Sequence, residues 1–598
     1  MKHEVLEKFF TCYKSDKDIQ ALNDLEKCKV YEKAITLAEK DIWKETTGKS
    51  ALPDYQALFR EYEEHLENSD LNKSRFKFII TIPVADRPQH LNTCLQSILR
   101  LCKIYQYGGI KETKYHKVCV LISDDSQLNT NIEKNQQITD SFKQQGLECI
   151  YFGAEQQQKL ISIYDKKHIK NIIGDIDPDN FFHKGASITR NISYLKLLQL
   201  QNENEPCLFY FIDSDQEFKI NTTLAQGSEN SYSINYFYQL NKIFSQKGIS
   251  ILTGKVVGDP PVSPAVMAGT FLDDVINFCQ QISALKAEHK CTFHSHIKPA
   301  ENDAAYHDMA DLFGFKPSND SYEYQCSLKH QHKHIECFNR FAEKLNQFFD
   351  GEHPTRKSYY QHEDINSSIK PARTIYTGNY IFKPENLKYF IPFANLKLRM
   401  AGPVLGRIIQ SELGTSFVSA NLPMLHNRTV DSLGQSEFRS GVNHLLQSID
   451  LSGEFIRQFY GDVMLFSIIE LTKSGYPKKH VTFEKITETV HKNFSSMKLR
   501  YIEKQQHISN KIIQLKTIIH KPENWWNSAK SSEYAINLFN QFIENIENNF
   551  GKNALTYTLI NSEKDIDLNL NKISCAIKTY HADRSHWQNL LSNGTSKS

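Results

Sequence analysis

The spacing of apolar positions changes twice along the chain. Up to about residue 74, apolar residues recur at helical intervals among many Lys and Glu, as in DLEKCKVYEKAITLAEKDIW, with Pro53 as the one proline. That pattern predicts a helical N-terminal region over 1–74. From Phe76 onward, short β-branched runs bounded by turn residues alternate with helical stretches. KFIITIPVADRP leads to HLNTCLQSILRLC and KVCVLISDDS, then LECIYFG, ASITRNISYLKLLQLQ, CLFYFIDSD and ISILTGKVVGDPP. Strands alternating with helices predict an α/β domain with a mostly parallel sheet, here over 75–430. Beyond it, GEFIRQFYGDVMLFSIIELTKSG and RYIEKQQHISNKIIQLKTIIHKPENWWN return to amphipathic helical texture and predict a helical C-terminal region over 431–598.

Composition narrows the function classes. At 598 residues the chain exceeds one ordinary core, and 40% hydrophobic with 23% charged residues is a soluble globular balance. A formal net charge of +2 leaves no electrostatic footprint for nucleic acid. No stretch approaches the roughly 18 apolar residues of a membrane span, and the opening MKHEVLEKFFTCYKSDKD is charged, unlike a signal sequence. The C-terminal helices offer a surface for a partner. Twelve cysteines are scattered from Cys12 to Cys575, and several, such as Cys94, Cys119 and Cys207, sit in apolar runs, so a reducing, cytoplasmic location is expected. HKCTFHSH and CSLKHQHKHIEC, within 289–337, contain enough ligands for zinc but no paired CxxC spacing; surface histidines on a polar helix are the expectation there.

Candidate chemistry gathers at strand ends. TIPVADRP ends a strand at Pro83 with Arg87 in the next loop, and VLISDDS ends one in Asp124 and Asp125. HKGASITRN begins a helix with Lys184 and Arg190, and LFYFIDSD closes a strand in Asp213 and Asp215. C-termini of parallel strands share one edge, where open α/β sheets hold ligands, so these loops are expected to converge. Carboxylates after the second strand can accept from a base or a ribose. Lys184 and Arg190 can face a diphosphate, and the Asp pair suits a hard divalent cation bridging to it. The set describes a nucleotide-diphosphate site. In the proline-rich GKVVGDPPVSPAVMAG, Asp259 can bond a sugar hydroxyl.

On IPVADRP, SDDS, KGASITRN and the DSD of Asp213 to Asp215, the stretch from Arg75 to Thr429 resembles the nucleotide-sugar glycosyltransferases of the GT-A fold, particularly the broad family-2-like group. The resemblance implies a Rossmann-like GT-A sheet and an Asp-x-Asp element that contacts ribose and holds Mn²⁺ or Mg²⁺ against the donor diphosphate. IYTGNYIFKPENLKYFIPF followed by LRMAGPVLGR is similar to the group's acceptor-side segment, which sets the Gly-Asn turn of Gly378 and Asn379 against the bound donor. Many inverting members have a Glu-Asp pair where this chain has Ala401, Gly402 and Pro403. Asp364 in YQHEDINSS is then the nearest candidate base. Retaining enzymes resembling mannosylglycerate synthase complete the metal site with a later histidine, a position that His426 in NLPMLHNRT matches.

The expectation is a metal-dependent hexosyltransferase with a nucleotide diphosphate sugar donor and a hydroxyl acceptor, retention being favoured. The alternatives are an inverting family-2-like transferase, a nucleotidyltransferase, and a non-catalytic scaffold on a degenerate core. TIPVADRP lacks the glycines of a nucleotidyltransferase loop.

Overall fold

The structure, a computed structural model, describes the chain apart from residues 1–3, 13–21, 45–47, 68, 175, 178, 203, 225–226, 260–262, 294–323, 329, 355–357, 392, 429–438, 446–447 and 596–598. The expected boundary at 430 and two prolines of the GDPPVSP loop, Pro260 and Pro261, lie outside the described residues.

The apolar runs form the strands they predict. β1 (Lys77–Val84), β2 (Val118–Asp124), β3 (Glu148–Phe152), β4 (Cys207–Ile212), β5 (Gln216–Glu217), β8 (Ile251–Gly258), β9 (Lys370–Pro371), β10 (Asn379–Phe382) and β11 (Phe417–His426) build one nine-stranded sheet. β6 (Ile220–Leu224) and β7 (Gly227–Ser231) pair as a separate hairpin. The order across the sheet is β3-β2-β1-β4-β10-β8-β11-β5, with β9 paired to β11. β1, β2, β3 and β4 are parallel, and β8 and β11 run parallel to each other. β10 is antiparallel to both β4 and β8, which restores β8 and β11 to the direction of β4. The fold is therefore mixed α/β around a mostly parallel sheet, and the C-terminal ends of β1, β2, β3, β4, β8 and β11 lie along one edge.

The lack of alternation in the strand sequences has its cause in two covered faces. Ile79, Leu121, Phe209 and Phe211 point into one core, while Phe78, Ile80, Val120, Ile122, Leu208 and Tyr210 point into the other. Successive side chains on a strand alternate in direction, so each strand must be apolar throughout to fill both. The second core is closed by helices Asp24–Ile42, Gly48–Glu67, Pro88–Tyr105 and Tyr236–Phe244. The first is closed by Ala186–Leu200, Pro264–Ser283 and Ala401–Leu413, together with the C-terminal helices Ser452–Lys473, Phe483–Ile519, Glu533–Phe550 and Glu563–Thr595.

Both helical ends thus share cores with the sheet. At the N-terminal side Arg75 forms a buried two-pronged pair with Glu63, at 2.5 and 2.7 Å, and Glu63 also accepts from the Gly108 N–H. At the C-terminal side the Trp587 indole donates to the Leu387 carbonyl at 2.9 Å, and Arg584 pairs with Glu412. Among the described residues no helix is long and apolar enough to cross a membrane.

The His- and Cys-rich segments differ from expectation. His332 and His334 are buried, because residues around 290 and 333 pair as antiparallel backbone and turn these side chains inward. His289, Lys290, His330 and Lys333 are exposed, as read from the sequence, and His294 and His296 lie outside the described residues.

Candidate functional site

In the order β3-β2-β1-β4 the chain proceeds outward from β1 in both directions, so the connections diverge between β1 and β4. A crevice opens at such a switch point, beyond the carboxyl ends of the two strands. Arg87 leaves β1 there as the residue before helix Pro88–Tyr105, and Asp213 and Asp215 leave β4.

Asp215 is buried and ringed by cationic groups. Its Oδ2 lies 3.1 Å from Arg87 Nη1, 3.4 Å from Arg428 Nη1 and 3.6 Å from His426 Nε2. Burial by itself would raise its pKa, but His426, Arg87 and Arg428 together hold the carboxyl well below the usual range. Asp213, one-third exposed, takes the Arg190 guanidinium at 2.6 Å. Gly378 stands where any side chain would collide with it: a Cβ there would sit 2.4 Å from Gln216 Nε2 and 2.8 Å from Asp213 Oδ2. Gln216 is in turn held by the Tyr376 hydroxyl at 3.0 Å.

His426 ends β11 and is oriented by backbone. Its Nδ1 is 2.6 Å from the Asp259 carbonyl; donating there leaves Nε2 as the nitrogen that faces Asp215. Burial lowers the pKa of the imidazole, but Asp215 and Asp259 together raise it above its ordinary value. The Asp259 N–H donates to the His426 carbonyl at 2.9 Å, and the Asp259 carboxylate accepts from the Arg428 N–H at 3.0 Å. The Asn427 N–H reaches the Asp215 carbonyl at 2.9 Å, and His90 Nε2 lies 2.8 Å from the Arg428 carbonyl. The ends of β8 and β11 are thereby tied to the Asp215 loop. Asp259, read as a sugar contact, fastens this junction.

Arg87, Arg190 and Arg428 gather around Asp213 and Asp215, with the Asp259 carboxylate on the Arg428 N–H. Burial, and then Arg87 beside it, push the Arg428 pKa down to about 9, as expected of crowded like charges. Arg190 is likewise buried, and its Nε has no hydrogen-bond partner. Carboxylates and an imidazole are donor types that suit Mn²⁺ or Mg²⁺, and the guanidiniums suit a diphosphate.

The remaining sequence candidates have other partners. Asp124 is saturated: Oδ1 accepts from the Ser126 N–H at 2.8 Å, and Oδ2 from Asn135 Nδ2 at 2.9 Å and the Tyr151 hydroxyl at 2.7 Å. Asp125 pairs with Lys184, and its Oδ2 accepts from Thr189 Oγ1 at 3.1 Å and the Gly185 N–H at 3.3 Å. Lys184, buried and lying over the Phe181 ring, is thus engaged by protein; burial lowers its pKa against the pull of Asp125. Asn379 is fully buried between β4, β8 and β11, donating to the Lys255 and Leu422 carbonyls at 2.9 and 2.8 Å and accepting from the Tyr210 hydroxyl at 3.0 Å. Pro83 is part of β1, paired with Ser123.

Asp364 is not brought to the crevice. It is exposed and caps its own turn through the Ser367 N–H at 2.8 Å; burial, and then Asp364, push Glu39 on helix Asp24–Ile42 up to about 7, and Trp43 at the end of that helix stacks on His362 at 4.6 Å. Ala401, Gly402 and Pro403 open helix Ala401–Leu413, where Gly402 packs against backbone: its Cβ would lie 2.3 Å from the Ile375 carbonyl oxygen.

Two groups beside the sequence candidates acquire partners that the sequence did not indicate. Arg428, two residues beyond His426, turns to Asp215. Asp86 stands in the same loop as Arg87. It holds φ at +52° and accepts from the Gln127 and Leu128 N–H groups, Asn131 and His183, joining the loops after β1 and β2. Burial would raise its pKa, and these four donors hold it lower.

No protein-family description matches the chain, and no curated protein matches it in sequence. Among solved structures it is similar to the mannosyltransferase PcManGT from Pyrobaculum calidifontis, determined in complex with GDP-Man and Mn²⁺. Identity is 6% and the TM-score 0.29, over 87% of this chain and 98% of that one. A likeness of that depth carries no chemistry across; the residues at the crevice must supply it.

Proposed function

We propose that the protein is a metal-dependent glycosyltransferase of the GT-A type, moving a hexose from a nucleotide diphosphate sugar to a hydroxyl acceptor. The observation that carries this reading is Asp215 at the switch point, with the His426 imidazole and the Arg87 and Arg428 guanidiniums converging on one of its oxygens. Asp213, Asp215 and His426 would hold Mn²⁺ or Mg²⁺. Bound there, the ion supplies neutralisation of the diphosphate as the sugar departs. Arg87, Arg190 and Arg428 bind and orient the diphosphate, and their charge is fixed before reaction. With Nδ1 turned to the Asp259 carbonyl, His426 would offer Nε2 to the ion. Asp125, Lys184 and Asp86 shape the loops around the donor without touching its phosphates.

Retention is the favoured outcome. Neither Asp364 nor the Ala401–Pro403 segment offers a base opposite the leaving group, so a diphosphate oxygen on the leaving-group face takes the acceptor proton. The test is a panel of sugar nucleotides with Mn²⁺, followed by nucleoside diphosphate release and by NMR of the product linkage. Release of nucleoside diphosphate and a retained anomer are expected. Pyrophosphate release would indicate a nucleotidyltransferase, and no release from any donor a scaffold.

A further inference from the structure

Far from the crevice, four side chains that the sequence sets widely apart meet at one point. Cys291 follows helix Pro264–Ser283, Cys326 comes thirty-five residues after it, His332 six after that, and Cys337 sits in the first turn of helix His334–Lys344. The three sulfurs and a histidine nitrogen all lie within 4.8 Å of one another. All four residues are buried.

Backbone pairing makes this meeting place. Lys290 bridges to Lys333, the Cys291 N–H donates to the His332 carbonyl at 2.9 Å, and the Cys326 N–H donates to the Phe293 carbonyl at 3.0 Å. The His334 N–H closes on the His289 carbonyl at 3.0 Å. His332 Nδ1 is 2.7 Å from its acceptor, the His330 carbonyl, and Nε2 is 3.2 Å from Cys326 Sγ. Donation from Nδ1 to a carbonyl is the arrangement by which a ligand histidine is fixed in the tautomer whose Nε2 can bind a metal. His334 is oriented elsewhere, by the Lys286 carbonyl and Thr292. Phe278, Phe293, Tyr324 and Phe341 form an aromatic wall beside the group, with Phe278 and Phe341 stacked at 3.9 Å.

From this geometry we infer that Cys291, Cys326, His332 and Cys337 form a structural zinc site. Three thiolates and one imidazole are a closed tetrahedral set, and bond lengths of about 2.3 Å to sulfur and about 2.0 Å to nitrogen need donor atoms less than about 4 Å apart, a small contraction of the arrangement present. Binding deprotonates the three thiols and releases those protons to solvent; no redox step is involved. With all four positions taken by protein, the ion has no catalytic vacancy. It clips the two ends of residues 292–325 to helix His334–Lys344. That helix packs on the C-terminal region, where Phe338 stacks on Trp526 at 4.9 Å. Zinc here joins Cys291 and Cys326 to helix His334–Lys344 and, through it, to the C-terminal helices.

The test measures metal content and is independent of any transferase activity. Full-length protein, expressed with zinc and desalted, should carry one tightly held zinc per chain by elemental analysis. Cys326→Ser and His332→Ala should lose it, and His332→Cys, which restores a fourth donor, should retain it. Asp215→Ala should leave it unchanged, which separates this site from the one in the crevice. Should Cys326→Ser fail to fold, the wild-type chain decides: exchange with Co²⁺ should give the thiolate charge-transfer and intense d–d absorption of tetrahedral cobalt. The inference is overturned by folded wild-type protein without zinc, by iron–sulfur absorption, or by a disulfide between any two of the three thiols.

Discussion

Two acidic pairs end strands on the same sheet edge. Asp124 and Asp125 close β2; Asp213 and Asp215 follow β4. In sequence each is an apolar run ending in carboxylates. In the structure the first pair accepts from short, rigid donors, namely backbone N–H groups, Asn135, Tyr151 and Thr189, besides the Lys184 ammonium. The second pair meets long guanidiniums and an imidazole, groups that can regroup around a ligand. Burial is comparable for Asp124, Asp125 and Asp215. The two pairs differ in whether their partners are mostly neutral donors fixed by the fold or mainly cationic side chains.

The strongest way to break this comparison is to remove one acid from each pair. Asp215→Ala should reduce turnover per folded molecule at least about 10²-fold at saturating Mn²⁺, since site charge stabilisation of this kind is worth several kcal/mol, in addition to the stability lost by leaving Arg87, Arg428 and His426 unpaired. Turnover near wild type would show that Asp215 is no more functional than Asp124. Asp124→Ala should cost about 2 kcal/mol of stability by stranding buried donors, with turnover per folded molecule preserved. Urea unfolding followed by fluorescence, with activity normalised to folded protein, tells the two apart.

His426 sharpens the second half of the contrast. His426→Ala should weaken Mn²⁺ affinity about 10-fold, and His426→Asp should recover part of it, because an oxygen ligand also serves a hard cation. Titration calorimetry with Mn²⁺ reads this directly, and equal affinities in all three chains would make His426 a packing residue.

Asp462 supplies a smaller, third case. It is as buried as Asp215, but its partners are neutral: the Tyr501 hydroxyl at 2.6 Å and Gln458 Nε2 at 2.8 Å. Burial therefore prevails and pushes its pKa up to about 7 from 3.8. The folded state holds a proton that the unfolded state has released between those values, so stability should fall as pH rises from about 4 to about 7, by at most about 1.4 kcal/mol per pH unit. Lys504, pushed down to about 7 by burial, acts in the window from 7 to 10.5, where stability returns as pH rises. Thermal melts of wild type and Asp462→Asn between pH 4.5 and 6.5 should diverge steadily, the variant gaining relative stability. Parallel curves would mean that Asp462 ionises normally.

Much of the architecture was legible because it is local. A run such as LFYFI must be a strand covered on both faces, and alternation with helical stretches leads to a parallel sheet whose strand ends share an edge. That rule puts Arg87, Asp213, Asp215 and His426 at the carboxyl edge, where the structure also has them. Lys184, Asp124 and Asn379 show its limit. Their residue types fit a ligand equally well, and only the donors that the fold brings from Asp125, Tyr151, Asn135, Leu422 and Tyr210 occupy them. Asp364 fails for a related reason, since its turn packs toward the N-terminal helices.

The sequence by itself determined the strands, the helices and which loops lie at the carboxyl edge, because apolar periodicity and strand direction are properties of contiguous residues. Tertiary structure alone decided which charges were spent. It set His426 beside Asp215, two hundred and eleven residues away, and left Lys184 to Asp125. It also turned His332 inward to three cysteines, where spacing had indicated a polar surface. Such pairings depend on chain crossings between distant segments, and no local pattern encodes whether a buried polar atom will find its partner in the protein or in a ligand.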